Sequence, residues 1–423
     1  MTKYNFDKVV CRKGTDCIKW DSTPIIWGKK NLLPMWIADM DFPSPKFFSD
    51  ALIKRIDGGV LGYGCRPEKW YDAVIDWFKE NYNWKIKREN IGFVPGIVVG
   101  MAHALRCFTR PNDKVLIFPP VYPPFACQVE NACCKLVNCP LVIKEDAKGE
   151  TFEINWEDLE KKIKGCKAMI LCNPHNPGGR VWSRAELKRI AQICLKNKVF
   201  VISDEIHCDL SFEKHIPFAT VDAKQALNTI TFHAPSKTFN VAGVGASEWV
   251  ATGKEVAKKF ADYLKAGEFD FGHYDSFLPA TLLYTPKGKE WLSQAMDYIK
   301  GNIDYVEKFL KENFTHPTLE FTGKKVRASN EEFAEAKVTE TQLIKMIRPK
   351  ASFLIFLDFR ALGLTQKELV EFITDGAHLA LNDGATFGAG GEGFMRLNVG
   401  CPRKTLEQAM KQLKTAFNKR YKL

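Results

Sequence analysis

A chain of 423 residues, 45% hydrophobic and 26% charged, is long enough for two or three domains around a large core. Its formal charge of +11 is scattered, and its densest groups are Lys161, Lys162, Lys164 and Lys324, Lys325, Arg327. Such short groups read as solvated faces that attract anionic small molecules, and they exclude a nucleic-acid footprint. The longest apolar runs are too short to span a bilayer, and polar residues follow Met1 directly. Thirteen cysteines without a Cys-x-x-Cys pair read as reduced thiols, so a cytoplasmic setting is expected.

The N-terminus through Asp21 is polar and reads as extended. Residues 34–45 form a proline-punctuated loop, with Asp39 and Asp41 beside Trp36 and Phe42. A helix is expected over about 45–57, followed by a glycine-rich turn at 58–64. Trp70, Val74, Trp77 and Phe78 recur at helical spacing and predict an amphipathic helix over about 67–82. Then strands and helices alternate. Strands are expected at 114–118, 168–172, 199–203 and 229–232. Helices are expected near 156–164 and after Ser183, where Glu186 completes a capping box. This alternation predicts a mostly parallel α/β sheet covered on both faces.

Beyond about residue 285 the pattern changes. A long helix over about 288–314 carries Leu292, Ala295, Ile299, Ile303, Val306 and Leu310 on one side. Residues 317–348 are rich in lysine and glutamate, without a strong period, and read as a polar surface insertion. Strands at 352–359 and 394–399 and a last helix with Leu406, Met410, Leu413 and Phe417 complete a smaller α+β domain. The predicted division is a large domain at 46–286 and a small one at 1–45 with 287–423.

Ligands of open α/β sheets bind beyond the carboxyl ends of the strands. Val94-Pro-Gly96-Ile97 leads into a helix, whose free amides and positive dipole end suit a phosphate as well as they suit an ordinary helix start. Asn173-Pro-His-Asn176-Pro-Gly-Gly-Arg180 is a rigid loop in which Asn176 is placed to bond a ligand oxygen. Val201-Ile-Ser-Asp204-Glu205-Ile-His207 ends an apolar strand in an acid, suited to a pyridinium nitrogen. Metal binding by Asp204, His207 and Asp209 is the rival there, although strand alternation points Asp204 and His207 apart unless the backbone turns. Lys237 stands without charged neighbours in Thr231-Phe-His-Ala-Pro-Ser236-Lys237-Thr-Phe-Asn, which makes it either a candidate for carbonyl chemistry through a Schiff base or half of a buried ion pair. On a strand, Arg396 and Asn398 share one face, so Arg396 is either a carboxylate receptor or half of an internal salt bridge. Gly388-Ala-Gly390-Gly-Glu-Gly393 matches a dinucleotide fingerprint literally, but it leads into a strand and reads as a mobile loop. Together these groups suit a phosphorylated pyridine aldehyde acting on an amino acid.

Five motifs in order carry a resemblance: Met35-Trp-Ile-Ala-Asp-Met-Asp-Phe-Pro, Asn173-Pro-His-Asn-Pro-Gly-Gly, Ser203-Asp-Glu-Ile-His, Ala234-Pro-Ser-Lys-Thr-Phe-Asn and Gly393-Phe-Met-Arg-Leu-Asn. The chain resembles the fold-type I enzymes of the class I/II aminotransferase family that use pyridoxal 5'-phosphate (PLP). More narrowly, it resembles their cystathionine β-lyase, or C–S lyase, branch (MalY/PatB type). The resemblance implies a seven-stranded, mostly parallel sheet in the large domain. It implies Lys237 as the Schiff-base lysine, Asp204 at the pyridine nitrogen, Asn176 at the ring hydroxyl and Tyr122 stacked on the ring. Gly96, Ile97 and Ser236 would hold the phosphate, and His207 would border the cofactor where many relatives carry tyrosine. Tyr63 would reach the phosphate across a homodimer interface, and Arg396 would bind the substrate α-carboxylate. The arginine common eight residues after the lysine is replaced by Gly245. The implied activity is α,β-elimination from a cysteine thioether. Transamination at the same site, or a regulatory protein that retains PLP, are the alternatives. His233 receives no role beyond packing.

Overall fold

The computed structural model describes residues 2–146, 149–273, 275–328 and 331–421. Seven strands build the main sheet: β1 (Ile91–Val94), β2 (Lys114–Ile117), β3 (Lys135–Asn138), β4 (Cys166–Cys172), β5 (Phe200–Asp204), β6 (Thr229–His233) and β7 (Ser247–Val250). Their spatial order is β1-β7-β6-β5-β4-β2-β3. Five neighbouring strands, from β6 to β3, run parallel, and β7 is antiparallel to both β6 and β1. The α/β expectation holds. The sequence pattern missed β1, β3 and β7, each four residues long and too short to show a period.

Alternation along the central strands sorts the core into two faces. Ala168, Ile170, Cys172 and Ile202 share one apolar cluster with Ile97, Met101 and Leu105 of the helix Ile97–Phe108. Met169, Leu171 and Val201 join the other, under Leu187, Ile190 and Ala191 of the helix Arg184–Lys196. Asp204 follows Ile202 by two residues and therefore faces the first layer. Gly100 lets that helix close on the sheet, since a β-carbon there would stand 2.5 Å from the Phe232 ring. The capping box at Ser183 and Glu186 is present.

A second, antiparallel sheet contains β8 (Lys345–Ile347), β9 (Leu354–Asp358), β10 (Asn382–Asp383) and β11 (Phe394–Asn398), in the order β8-β9-β11-β10. It packs under the helices Pro286–Asn313 and Arg403–Tyr421, which bury Ile299, Ile303, Leu406 and Leu413. Trp291, rather than Leu292, is the fully buried residue at the start of the long helix. The region expected as a featureless insertion is an antiparallel hairpin, Thr315–Ala328 with Glu331–Gln342. Its tip, 329–330, and the side chains of 317–339 lie outside the described residues. Residues 345–347 of that region belong to the small sheet as β8, where Ile347 is buried. The glycine run before β11 is a packed turn rather than an open loop: a β-carbon on Gly391 would stand 2.0 Å from the Gly384 carbonyl oxygen. No helix among the described residues is long and apolar enough to cross a membrane.

Candidate active site

The carboxyl ends of β1, β4, β5 and β6 open onto one cavity of about 270 Å³. Gly96, Ile97, Tyr122, Asn176, Asp204, His207, Ser236 and Lys237 all line it. Eight residues from five separate stretches thus meet as expected. Ala38, Cys172 and Ser247 line it too, and nothing in the sequence pattern singled them out.

At one end sits the start of the helix Ile97–Phe108. Its first internal bond runs from the Gly100 amide to the Gly96 carbonyl at 2.8 Å, so the amides before it point free into the cavity end. A β-carbon at Gly96 would meet nothing within 4 Å, which leaves open space beside those amides. Ser236 and Ser247 add hydroxyls there. Among the described residues that line the cavity, Lys237 is the one cation. Any side chain at position 245 would press on the backbone, because a β-carbon there would stand 2.9 Å from the Pro95 carbonyl oxygen.

Asp204 ends β5 on the cavity floor, opposite Cys172 of β4. Burial pushes its carboxyl up to about 7, against the Ile206 amide that bonds it at 3.1 Å. Glu205 adds to the rise and Lys237 opposes it. The backbone does turn after Asp204, so the strand alternation that would point Asp204 and His207 apart ends there. The chain passes into the short 3₁₀ segment Cys208–Leu210, and both side chains face the cavity. Burial, then Lys237 and Arg396, drive the His207 ring down to about 3, leaving it neutral. Its buried Nδ1 has no hydrogen-bond partner.

The Lys237 amine donates to the Ala38 carbonyl at 2.7 Å. Burial lowers its pKa to about 8; Asp39 and Asp204 raise it, and Arg396 lowers it. At neutral pH a useful fraction is already unprotonated, unlike an ordinary surface lysine. Tyr122 closes the opposite wall, with its phenol pushed up by burial.

Arg396 lies behind Asn176. Its Nη1 donates to Asn176 Oδ1 at 3.1 Å, and its Nη2 to the Trp36 carbonyl at 2.8 Å and Asn382 Oδ1 at 2.6 Å. Its Nε is buried without a partner. No carboxylate among the described residues pairs with it, which removes the internal salt bridge from consideration. Burial lowers this guanidinium to about 10, and a buried guanidinium among neutral acceptors is suited to a carboxylate.

Tyr63 is not brought to this cavity. It is 92% exposed, packs edge-on against Phe271 at 5.3 Å, and stands beside exposed Val60 and Leu61. His233 is more than a packing residue. Its Nδ1 lies 2.6 Å from Glu248 Oε1 and its Nε2 3.1 Å from Asp209 Oδ2. Burial opposes a charge on the ring, yet Cys208 and Asp209 outweigh it and raise its pKa well above the ordinary value. The trio Asp204, His207 and Asp209 does not converge; the ligand-capable atoms that do are those of Cys208, Asp209 and His233. Asp209 is already bonded to Trp77, Tyr82 and Thr238.

Residues 57–413 match the family model described as aminotransferase class I and II. The chain is 38% identical over 419 residues to the cystathionine beta-lyase PatB of Bacillus subtilis, covering 98% of this chain and 100% of that one. A crystal structure of cystalysin from Treponema denticola, which contains a pyridoxal 5'-phosphate cofactor, superposes with a TM-score of 0.88. It is 31% identical, with 99% of this chain and 100% of that chain covered. The PLP-bound C–S lyase from Staphylococcus hominis superposes with a TM-score of 0.83 at 28% identity, covering 98% and 99%. The cavity fits such a cofactor on its own terms. It offers open space at a helix start for a phosphate, an acid on the floor for a ring nitrogen, and an amine of lowered basicity for an aldehyde.

Proposed function

Given that the chain belongs to the class I and II aminotransferase family, we propose that it is a PLP-dependent carbon–sulfur β-lyase. It cleaves cystathionine or a related cysteine S-conjugate with water to a thiol, pyruvate and ammonia. The observation that carries this reading is the meeting of Lys237 and Asp204 on one cavity, with Arg396, free of any carboxylate partner among the described residues, bonded to the cavity residue Asn176 from behind. When bound, PLP supplies an aldehyde for the substrate amine and a ring that takes up the electrons released at Cα.

The chain's own groups do the rest. Arg396 takes the substrate α-carboxylate in a two-pronged grip, with Asn176 and Asn382 fixing the guanidinium plane. Lys237, once free, removes the Cα proton; its lowered basicity lets it serve as a base near neutral pH. Asp204 would hold a proton at the ring nitrogen. Asn176 would bond the ring hydroxyl, Tyr122 would cover the ring face, and His207 would border it as a neutral ring. The Ile97 amide and Ser236 would hold the phosphate beside Gly96, without an arginine at position 245. Loss of the β-thiolate completes the elimination.

Tyr63 supports a homodimer: an exposed phenol on an apolar segment suits a partner's phosphate end. Thirteen unpaired cysteines support a reducing, cytoplasmic setting. We keep the division into a large unit at 46–286 and a small unit at 1–45 with 287–423. Transamination is the second reading, favoured by the family model itself, and differs in where the Cα proton returns. Incubation with cystathionine and no keto-acid acceptor separates the two. Pyruvate accumulates under the lyase reading, and its absence would sink that reading.

A further inference from the structure

The loop that receives Lys237 is held from outside by four charged side chains. Arg12 donates to Asp39 at 3.0 and 2.6 Å and to Asp41 at 2.8 Å. Lys19, its side chain wholly buried, donates to Asp41 at 2.7 Å and to the Asp39 carbonyl at 3.3 Å. Two cations and two carboxylates balance. From inside, the same loop is tied to both halves of the site. Asn398 Nδ2 donates to the carbonyls of Ile37 and Asp39 at 2.5 and 2.6 Å. Asn240, three residues after Lys237, bonds the Met40 amide and the carbonyls of Met40 and Phe42. The Trp36 carbonyl meets Arg396, and the Ala38 carbonyl meets the Lys237 amine.

We propose that Arg12 and Lys19, acting through Asp39 and Asp41, are positioning residues for Lys237. By pinning the loop, they fix the Ala38 carbonyl that receives the amine whenever it is not bonded to the cofactor. The inference rests on the assignment of Lys237 above. Lys19–Asp41 is the deeply buried pair of the four, and Arg12–Asp39 is partly exposed. A deeply buried ion pair adds little stability over an apolar pair of the same shape, and a partly exposed one adds little in itself; the effect of the cluster is to select one geometry. Here that geometry fixes the distance from the amine to the site. Asp39 also faces Lys237 electrostatically, together with Asp204, Arg396 and neutral His207.

The test is a pH titration of the visible band of the lysine-linked cofactor in the holoenzyme. Asp39→Asn removes a negative charge next to the titrating nitrogen. Its midpoint is expected to fall by about half a pH unit or more, less than the 1–3 units of an unscreened pair. Arg12→Gln leaves both carboxylates but frees the loop, so kcat should fall several-fold with KM little changed. Arg12→Lys should restore part of it. An unmoved Asp39→Asn midpoint with a wild-type kcat in Arg12→Gln overturns the proposal, even if both variants melt at lower temperature. Lys237→Ala run alongside should lack the band. If it keeps the band, the assignment of Lys237 fails and the proposal with it; a lost band, with an unmoved Asp39→Asn midpoint and a wild-type kcat in Arg12→Gln, refutes the proposal alone.

Discussion

Asp204 shows how a residue can serve a site at the expense of the empty fold. Its carboxyl is raised from 3.8 to about 7 by burial, so the folded protein without cofactor keeps a proton that the unfolded chain releases. Through this group stability falls as pH rises from about 4 to about 7, and the loss is complete above that. Asp204→Asn removes the penalty. The cofactor-free variant should melt higher than wild type above pH 7, with the gap closing toward pH 4, as calorimetry would show. The same change should weaken cofactor binding about 10- to 100-fold, the worth of a charge-assisted hydrogen bond. Arg396→Lys keeps a charge but loses the fork, so kcat/KM for the thioether should drop about 10- to 100-fold. An unchanged kcat/KM would remove Arg396 from substrate binding. Most of these residues were legible because each stood at an expected strand end. His233 was not, since its partners, Asp209 in the 3₁₀ segment after β5 and Glu248 on β7, are distant in sequence and only the fold brings them together.

At the scale of elements, the legible parts were those with a strong period or a cap. The helix Glu68–Tyr82 buries Trp70, Val74, Trp77 and Phe78, as the spacing of those residues requires. Short strands such as β7, and the paired strands Thr315–Ala328 and Glu331–Gln342, carry no period that separates them from loops. Their structure comes from long-range pairing. Ser183→Ala should cost about 1 kcal/mol of stability by removing the cap, with kcat unchanged, as denaturant titration and rate assays would show. Gly245→Arg is the sharper test of an element junction. The β-carbon would press on the Pro95 carbonyl 2.9 Å away, at the turn that presents Gly96. It should lower stability by about 1–3 kcal/mol and fail to tighten cofactor binding, despite the added cation. Tighter binding in a fully stable variant would contradict this account of the phosphate end.

The molecule as a whole places one site between two sheets. The main sheet supplies Asp204 and Lys237 from neighbouring strand ends, and β11 of the second sheet supplies Arg396. The segment with Val60, Leu61 and Tyr63 remains exposed beside Phe271. A sequence cannot show which exposed apolar residues meet a partner, and Tyr63 was read through family resemblance alone. Under the proposed homodimer, Leu61→Asp should shift the protein toward monomer in sedimentation, whereas Tyr63→Ala should keep the dimer and weaken cofactor retention. A wild-type dimer in Leu61→Asp would move the interface elsewhere. The catalytic expectations depend on one bond, between Lys237 and the cofactor. The measurement that tests it most directly is the absorbance spectrum of the purified protein beside that of Lys237→Ala. The account predicts a visible band in the wild type that is absent in the variant, with thiol release lost alongside it. A band that persists without Lys237, or a wild type that takes up PLP without developing one, would contradict it.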